Sequence, residues 1–188
     1  ESCNLAHDSF QWIPEPFEEG ANLGWTPAWS LTNHQVKYVP SAYCYMGYSL
    51  KDSRFFVADS NGCATGNSLE EAILHGLLEV VERDSVALWW YNRVKRPEAD
   101  LESFRDPLLI ATRENLRTKG RTLHVLDITS DFTIPAFVAV SWEGGGRRIL
   151  FGSGADLDPR TAVTRAICEV NQLLETVLER EALADGPQ

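Results

Sequence analysis

The sequence lacks the features that assign many proteins to a class at first reading. No stretch approaches the roughly 20 consecutive apolar residues of a membrane-spanning helix, and residues 1–24 show no signal-peptide pattern. Positive charge is also scarce, because 17 Lys and Arg stand against 27 Asp and Glu, giving a formal net charge of −10. Since surfaces that bind nucleic acid are normally basic, we expect neither a membrane span nor a nucleic-acid partner.

Cysteine is sparse, and no two cysteines lie close together in the sequence. The four cysteines form no C-x-x-C pair, which argues against a structural zinc site. Cys44 lies in a strand-like run and Cys168 among apolar residues of a helix, so we expect both to be buried, reduced thiols. Reduced thiols favour a cytoplasmic protein. The chain begins at Glu1 without an initiator Met, and we therefore expect a piece of a longer protein.

The order of the predicted elements indicates an α+β domain. At 188 residues, with 44% hydrophobic and 23% charged residues, the chain can bury a sizeable core. We expect an irregular segment over 1–24, one domain over 25–183 and a tail over 184–188. In the domain, a mixed or antiparallel sheet packs with helices. The predicted strands cover 36–48, 54–58, 122–128, 134–142 and 148–151, with a glycine turn at 144–146.

Three helices are predicted from the signals at their ends. The first opens with a capping box, in which Ser68 and Glu71 each accept a hydrogen bond from the other's backbone N–H. The third opens with Asp158 as its cap and Pro159 at its first position, where proline's missing N–H costs nothing. The predicted helices run over about 68–91, 103–119 and 159–183.

The first and third helices each carry a polar stripe and an apolar stripe. At about 100° per residue, a set of polar residues falls on one side of each helix and most aliphatic residues fall on the other. In the first helix the polar side holds Ser68, Glu71, His75, Glu79, Glu82 and Arg83, and the apolar side holds Ile73, Leu74, Leu77, Leu78, Val80, Val81 and Leu88. In the third, the polar side holds Arg165, Glu169, Gln172 and Thr176, and the apolar side holds Ala166, Ile167, Val170, Leu174, Val177 and Leu178.

Two interpretations of these polar stripes remain open. In the first, the stripes are solvated surfaces, and Glu79 and Arg83 form an ordinary i,i+4 ion pair. In the second, the stripes face each other across a cleft. Carboxylates brought together repel one another unless a hard cation lies among them, and Mg²⁺ takes oxygen ligands that it shares with substrate phosphates. The ligands of this hypothesis are Glu79, Glu82, Glu169 and Gln172.

Two long signatures in the chain resemble those of YcaO proteins. The first runs from Ser60-Asn-Gly to Glu82-Arg-Asp84 and continues into Trp89-Trp-Tyr-Asn-Arg93. The second joins Phe151-Gly-Ser-Gly-Ala-Asp-Leu-Asp-Pro159 to Thr164-Arg-Ala-Ile-Cys-Glu-Val-Asn-Gln172, and the segment 126–135 lies between the two signatures. The likeness spans about 25–174. It is closest to the cyclodehydratase branch, which makes thiazole- and oxazole-modified peptides such as microcins.

The resemblance implies an enzyme that binds ATP through Mg²⁺ and uses the γ-phosphate to activate a peptide amide oxygen. A neighbouring Cys, Ser or Thr side chain adds to that amide, and elimination of phosphate closes an azoline ring. The implied partners are a ribosomal precursor peptide and a leader-peptide-binding protein or domain. The alternatives are a thioamide- or amidine-forming YcaO enzyme and a non-catalytic peptide-binding or assembly module. The retained ligand set favours an enzyme over such a module.

The resemblance also assigns roles to residues of this chain. It implies metal binding for Glu79, Glu82, Glu169 and Gln172, and nucleotide binding for Gly66, Ser68 and Arg83, and it assigns no catalytic residue. The chain departs from many members at His75, where Ser is common, and at 64–66, where many have Lys between two glycines. It also has Leu173 and Leu174 where many have an Arg just beyond the Gln.

Family domains continue well past the second signature, so the resemblance implies a domain that is incomplete at its C-terminus. We expect the chain alone to be inactive and its uncovered apolar surface to drive assembly into a homo-oligomer. Gly152 and Gly154 indicate a turn into the third helix rather than a dinucleotide-binding fingerprint. Trp89 and Trp90 fit a packed core better than a peptide groove.

Overall fold

The computed structural model describes residues 14–48, 54–56 and 58–184, with side chains described as far as residue 177. The chain divides into two compact units, Glu1–Ser60 and Asn61–Gln188. Most of the predicted irregular segment over 1–24 and of the tail over 184–188 lies outside the described residues. In the described part, no helix has the length and apolar character needed to cross a membrane.

The first unit contains an antiparallel hairpin followed by one helical turn. Its elements are β1 (Trp25–Ser30), β2 (Gln35–Pro40) and α1 (Ser41–Cys44). The Ser41 N–H donates to the Gly24 carbonyl at 2.8 Å, and the chain turns into α1 directly after Pro40. The predicted strand over 36–48 is therefore too long. Strand β1 falls where no structure is predicted, because Pro27 interrupts its alternating pattern.

Two other predictions for this part of the chain are wrong. Arg54 and Phe55 lie in a turn instead of the predicted strand over 54–58, of which residue 57 is outside the described residues. Cys44, predicted to be buried, is an exposed free thiol at the end of α1, and Cys168 in the second unit is exposed as well. The prediction that Cys168 is buried is wrong because the residue lies on the solvent side of its helix.

A three-stranded antiparallel sheet forms the centre of the second unit. Its strands are β3 (Arg121–Asp127), β4 (Ala136–Glu143) and β5 (Arg147–Ala155), in the order β3-β4-β5. Gly145 and Gly146 have φ values of 80° and 72° in the β4–β5 turn, a conformation that glycine adopts without a Cβ clash. The three predicted strands are confirmed, but β5 continues past its predicted end at 151 to Ala155.

Three helices pack with this sheet. They are α2 (Leu69–Tyr91), α3 (Pro107–Thr118) and α4 (Pro159–Ala184), and the predicted first and third helices are confirmed. Helix α3 begins later than predicted. Asp106 caps it by accepting from the Leu108 N–H at 2.9 Å, and Pro107 occupies its first position. Arg105, with a left-handed φ of 51°, separates α3 from a 3-10 helix over Leu101–Phe104.

Helices cover both faces of the sheet. Along β4, Phe137 and Ala139 pack into a core with α3 and α4, whereas Ala136 and Val138 pack into a second core beside Trp89 of α2. Because successive residues of a strand point to opposite faces, α2 lies on one face and α3 and α4 lie on the other. The predicted fold class, an antiparallel sheet packed with helices, is confirmed.

Strand β5 lets α4 approach closely, because two of its residues have no side chain. A Cβ at Gly152 would lie 2.4 Å from the Ala166 carbonyl oxygen, and a Cβ at Gly154 would lie 2.3 Å from that of Ala162. Both glycines therefore lie in a strand beneath a helix and not in the predicted turn. The α4 residues buried there include Ala162, Val163, Ala166, Ile167, Val170 and Leu174.

Helix α2 buries a mixed face instead of its predicted apolar side. Leu78 and Val81 of the apolar side are buried, but its other members are exposed: Ile73, Leu74, Leu77, Val80 and Leu88. Glu82 and Ser85, which are polar, are buried instead. The reason is that Glu82 finds hydrogen-bond donors on β5.

Candidate functional site

The loop that leads into α2 folds tightly against the start of the helix. The Ser68 Oγ accepts from the Glu71 N–H at 3.2 Å, and the Glu71 carboxylate accepts from the Asn67 N–H at 2.6 Å. The Glu71 carboxylate therefore accepts from the Asn67 N–H instead of the predicted Ser68 N–H. This hydrogen bond from Asn67 holds the pKa of Glu71 below its ordinary value of 4.5. A Cβ at Gly66 would lie 2.5 Å from the Ala72 nitrogen, so glycine permits this close approach.

Strand β5 is the edge of the described sheet, and carboxylates accept hydrogen bonds from its outward N–H groups. Glu82 accepts from the Ser153 hydroxyl at 2.6 Å and from the Ala155 N–H at 3.2 Å. Glu169 of α4 accepts from the Ser153 N–H at 2.6 Å. Buried backbone N–H groups need acceptors, and here two glutamates supply them. Ser153 therefore links the acidic residues of α2 and α4.

Arg83 lies beside the two glutamates of α2. Its guanidinium is 3.2 Å from the Glu82 carboxylate and 3.6 Å from that of Glu79, and it donates to the Ser153 hydroxyl at 3.2 Å. The i,i+4 pair with Glu79 is partly exposed and contributes little stability. Glu82 is only 8% exposed, so it is not a solvated surface charge. Its buried charge is compensated by Arg83 and by the donors on β5.

A cavity of about 530 Å³ opens beside these residues. It is lined by Cys63, Ala64, Thr65, His75, Glu79, Glu82, Arg83 and Arg165. The His75 Nδ1 lies 3.0 Å from the Thr65 carbonyl oxygen and ties the loop to α2. The Arg165 guanidinium lies 3.5 Å from the Asp156 carboxylate. The wall therefore combines carboxylates, which suit a hard cation, with guanidiniums, which suit phosphate oxygens.

The structure brings together part of the predicted set. The predicted residues that line the cavity are Glu79, Glu82 and Arg83. Glu169 meets Glu82 at Ser153, whereas Gln172 is exposed on α4. Gly66 and Ser68 shape the loop that supplies the lining residues 63–65.

The donor chemistry of the cavity fits Mg²⁺ bound together with phosphate. Among the described residues, no three His, Cys, Asp or Glu side chains form a group that could hold a metal ion by themselves. Mg²⁺ that is shared with phosphate oxygens needs about one or two protein carboxylates, and Glu79 and Glu82 provide them on the cavity wall. The full four-residue ligand set stays a prediction.

Two of the residues that sequence reasoning did not assign to this site are Ser153 and Arg165. Ser153 lies in the second signature, but the prediction of a turn there hides its place on an edge strand. Arg165 belongs to the predicted polar stripe of α4, and its i,i+4 spacing from Glu169 is the signal that could have identified it. Both residues depend on β5 for their position, since the Arg165 guanidinium also donates to the Ala155 carbonyl at 3.5 Å.

Comparisons with known proteins agree with one another. A family model described as YcaO cyclodehydratase, ATP- and Mg²⁺-binding, matches residues 1–188. An uncharacterized protein of Methanothermobacter thermautotrophicus is 30% identical over 177 residues, covering 92% of this chain and 46% of that protein.

Three solved structures are similar to this chain. The heterocyclase TruD is 52% identical with a TM-score of 0.79, over 86% of this chain and 24% of that chain. A heterocyclase in complex with substrate and cofactor is 51% identical with a TM-score of 0.83, and the match covers 86% of this chain and 22% of that chain. A YcaO protein from Methanopyrus kandleri bound with AMPPCP and Mg²⁺ is 29% identical with a TM-score of 0.69, over 89% and 44%. The chain spans less than half the length of each of these proteins.

Proposed function

Since the chain belongs to the YcaO cyclodehydratase family, we propose that the protein that carries it closes azoline rings in a ribosomal precursor peptide. The ring closure depends on ATP, which phosphorylates the oxygen of a backbone amide. The observation that carries this proposal is the cavity beside α2, whose wall holds two carboxylates and two guanidiniums. The similarity to a heterocyclase in complex with substrate and cofactor supports it.

The proposed reaction converts an amide oxygen into a good leaving group. The side-chain S–H or O–H of a Cys, Ser or Thr adds to the carbonyl carbon of the preceding amide and loses its proton. The former carbonyl oxygen then takes the γ-phosphoryl group of ATP, and ADP is released. The amide nitrogen loses its proton, and its electron pair forms the C=N bond as the C–O bond breaks and phosphate leaves. Each ring therefore consumes one ATP, and the amide oxygen departs in inorganic phosphate.

The residues around the cavity would divide this work. The proposed Mg²⁺ ligands are Glu79, Glu82, Glu169 and Gln172, and the proposed nucleotide-binding residues are Gly66, Ser68 and Arg83. Bound Mg²⁺ would offset the negative charge that develops during phosphoryl transfer. Arg165 adds a second guanidinium for the phosphates, and Ser153 positions Glu82 and Glu169 through its hydroxyl and its N–H.

The proposed partners follow from the substrate. A leader-peptide-binding protein or domain would deliver the precursor peptide, and the cytoplasm would supply both ATP and newly made peptide. We also propose that the protein forms a homo-oligomer. The exposed aliphatic side chains along α2 support this, because apolar patches on a surface commonly mark protein contacts.

Phosphate release by the whole protein, together with its leader-binding partner, tests the proposed function. Release should require a precursor rich in Cys, Ser or Thr, and the peptide should lose one water for each ring, as measured by mass spectrometry. Phosphate release without peptide, or ring formation without ATP, would contradict the proposal. Replacement of oxygen by sulfur in the product would instead indicate the thioamide-forming chemistry of the family.

A further inference from the structure

A second cavity lies one turn further along α2 than the first. Its volume is about 270 Å³, and it is lined by Ser85, Leu88, Trp89, Val94, Arg96, Ile128, Ser130 and Asp131. Glu82 lines the first cavity and Ser85 the second, and both are buried on α2. Three residues of an α-helix rise about 4.5 Å. The two cavities are therefore adjacent along the helix.

Two hydroxyl groups in the lining of this second cavity are buried and lack a partner. Ser85 is 1% exposed, and neither its Oγ nor the Oγ of Ser130 has a hydrogen-bond partner among the described residues. Leaving a buried hydroxyl unpaired is unfavourable. Native proteins keep such groups where a ligand or an ordered water supplies the missing partner. The two hydroxyls thus point to a bound group that can both donate and accept hydrogen bonds.

Apart from Arg96 and Asp131, the rest of the wall is apolar. Leu88, Trp89, Val94 and Ile128 provide aliphatic and aromatic surface. Arg96 is fixed because it donates to the carbonyl oxygens of two residues of the neighbouring segment, Asp127 and Thr129. Apolar walls with a few placed polar groups are typical of ligand sites, which usually measure about 300–1,000 Å³ for small molecules. This cavity is smaller and suits a single amino-acid residue.

We propose that the second cavity binds an apolar residue of the precursor peptide, one or two positions from the amide that is phosphorylated. This inference rests on the proposed function, because that function makes the substrate a peptide. An extended peptide advances about 3.3–3.6 Å per residue, so one or two residues cover the helical rise of about 4.5 Å between Glu82 and Ser85. Hydroxyls both donate and accept, and Ser85 and Ser130 therefore complement the N–H and C=O of a bound amide.

A direct test measures binding of N-acetyl-leucinamide to the whole protein by NMR, through the indole N–H signal of Trp89. The Trp89→Phe variant assigns that signal. Titration should shift it to saturation, and Ser85→Ala and Ser130→Ala should each weaken binding about three- to tenfold, the equivalent of one lost hydrogen bond. Ser103→Ala, which alters an exposed serine of the 3-10 helix, serves as the matched control and should bind as the wild type does.

Kinetics and stability complete the test. In Ser85→Ala the KM for the precursor should rise about three- to tenfold with kcat retained, while the melting temperature should hold or rise because an unpaired hydroxyl is removed. Unchanged binding and KM in both serine variants would overturn the proposal. A lower melting temperature in both variants with unchanged binding would also overturn it, since the hydroxyls would then be serving ordered water alone.

Calorimetry with Mg-ATP on the same samples separates this inference from the proposed function. Peptide-dependent phosphate release by the wild type, combined with serine variants that bind N-acetyl-leucinamide normally, would reject the peptide site while supporting the proposed function. Absence of Mg-ATP binding, combined with a saturable Trp89 shift that both variants weaken, would reject the proposed function while supporting a residue-sized binding cavity.

Discussion

Helices α2 and α4 share a pattern of one polar and one apolar side, but they bury different sides. In α4 the apolar side faces the sheet, and Leu174 is 3% exposed. In α2 much of the apolar side faces outward, with Leu77 at 53%, whereas the carboxylate-bearing Glu82 is at 8%. The comparison shows that an amphipathic pattern identifies a helix, while the surface beneath it selects the side that is buried.

The two surfaces beneath these helices differ chemically. Helix α4 lies over Gly152 and Gly154, where the absence of side chains lets apolar residues and helix backbone come close to the strand. Helix α2 meets the edge of β5, where the Ser153 hydroxyl and the Ala155 N–H need acceptors. Glu82 satisfies both donors, so burial of a charged residue is favourable at that position.

Truncating one leucine on each helix should give the largest difference in stability between the two helices. Leu174→Ala removes a buried side chain of α4 and should lower the free energy of unfolding by about 2–5 kcal/mol. Leu77→Ala removes an exposed side chain of α2 and should change it by less than about 0.5 kcal/mol. Urea denaturation measures both values, and equal losses would contradict the assignment of buried sides.

A methyl group placed between β5 and α4 should be the next largest perturbation. In Gly154→Ala the new Cβ would lie 2.3 Å from the Ala162 carbonyl oxygen, and relief of that contact should cost about 1–3 kcal/mol. Gly144→Ala is the matched control, since no atom lies within 4 Å of its Cβ position. Thermal unfolding of the two variants should therefore differ by several degrees, with Gly154→Ala the less stable.

Substitutions of the two glutamates on the polar side of α2 should differ in their effect on stability but agree in their effect on activity. Glu82→Gln leaves one of its donors on β5 without an acceptor, and the free energy of unfolding should fall by about 1–3 kcal/mol. Glu79→Gln loses only a partly exposed pair with Arg83 and should cost less than about 1 kcal/mol. Under the proposed function, both variants of the whole protein lose peptide-dependent phosphate release. A Glu79→Gln variant with full activity would remove Glu79 from the ligand set.

The smallest expected effect is a pH dependence at the start of α2. The Asn67 N–H is the main cause that lowers the pKa of Glu71 in the folded protein below 4.5. A carboxyl group with a depressed folded pKa contributes stability that is present above the unfolded pKa and is lost as pH falls through the folded pKa. Below about pH 4.5, the wild type should therefore lose stability more steeply than Glu71→Gln. Parallel curves from acid titration of the two proteins would contradict this.

Local signals predict much of the fold. The Ser68 cap and the Asp158–Pro159 pair place the starts of α2 and α4, and the glycine turn at 144–146 places the β4–β5 hairpin. Predictions fail where a local signal is overridden or overlooked. The run after Pro40 has strand-forming residues but turns into α1, and the Asp106–Pro107 start of α3 is hidden inside a longer helical pattern.

The candidate site could be predicted in part. The spacing of Glu79, Glu82 and Arg83 predicts that all three lie on one side of α2, and the structure places that side on the cavity wall. The spacing of Glu169 and Gln172 on α4 places them on one side of that helix, but it does not show that Glu169 reaches β5 while Gln172 stays exposed. Ser153, which joins the two helices, has no helix pattern that would identify it.

The linear pattern of residues was sufficient for the starts of α2 and α4, the positions of the three strands of the main sheet and the family signatures, because each depends on neighbours within a few positions. The burial of Glu82 and its junction with Glu169 depended on three-dimensional packing. The bond from Ser153 to Glu82 joins residues 71 positions apart. The edge of β5 presents its N–H groups only after the sheet has formed. The partners of a buried charge are therefore set by distant strands, and no local periodicity encodes them.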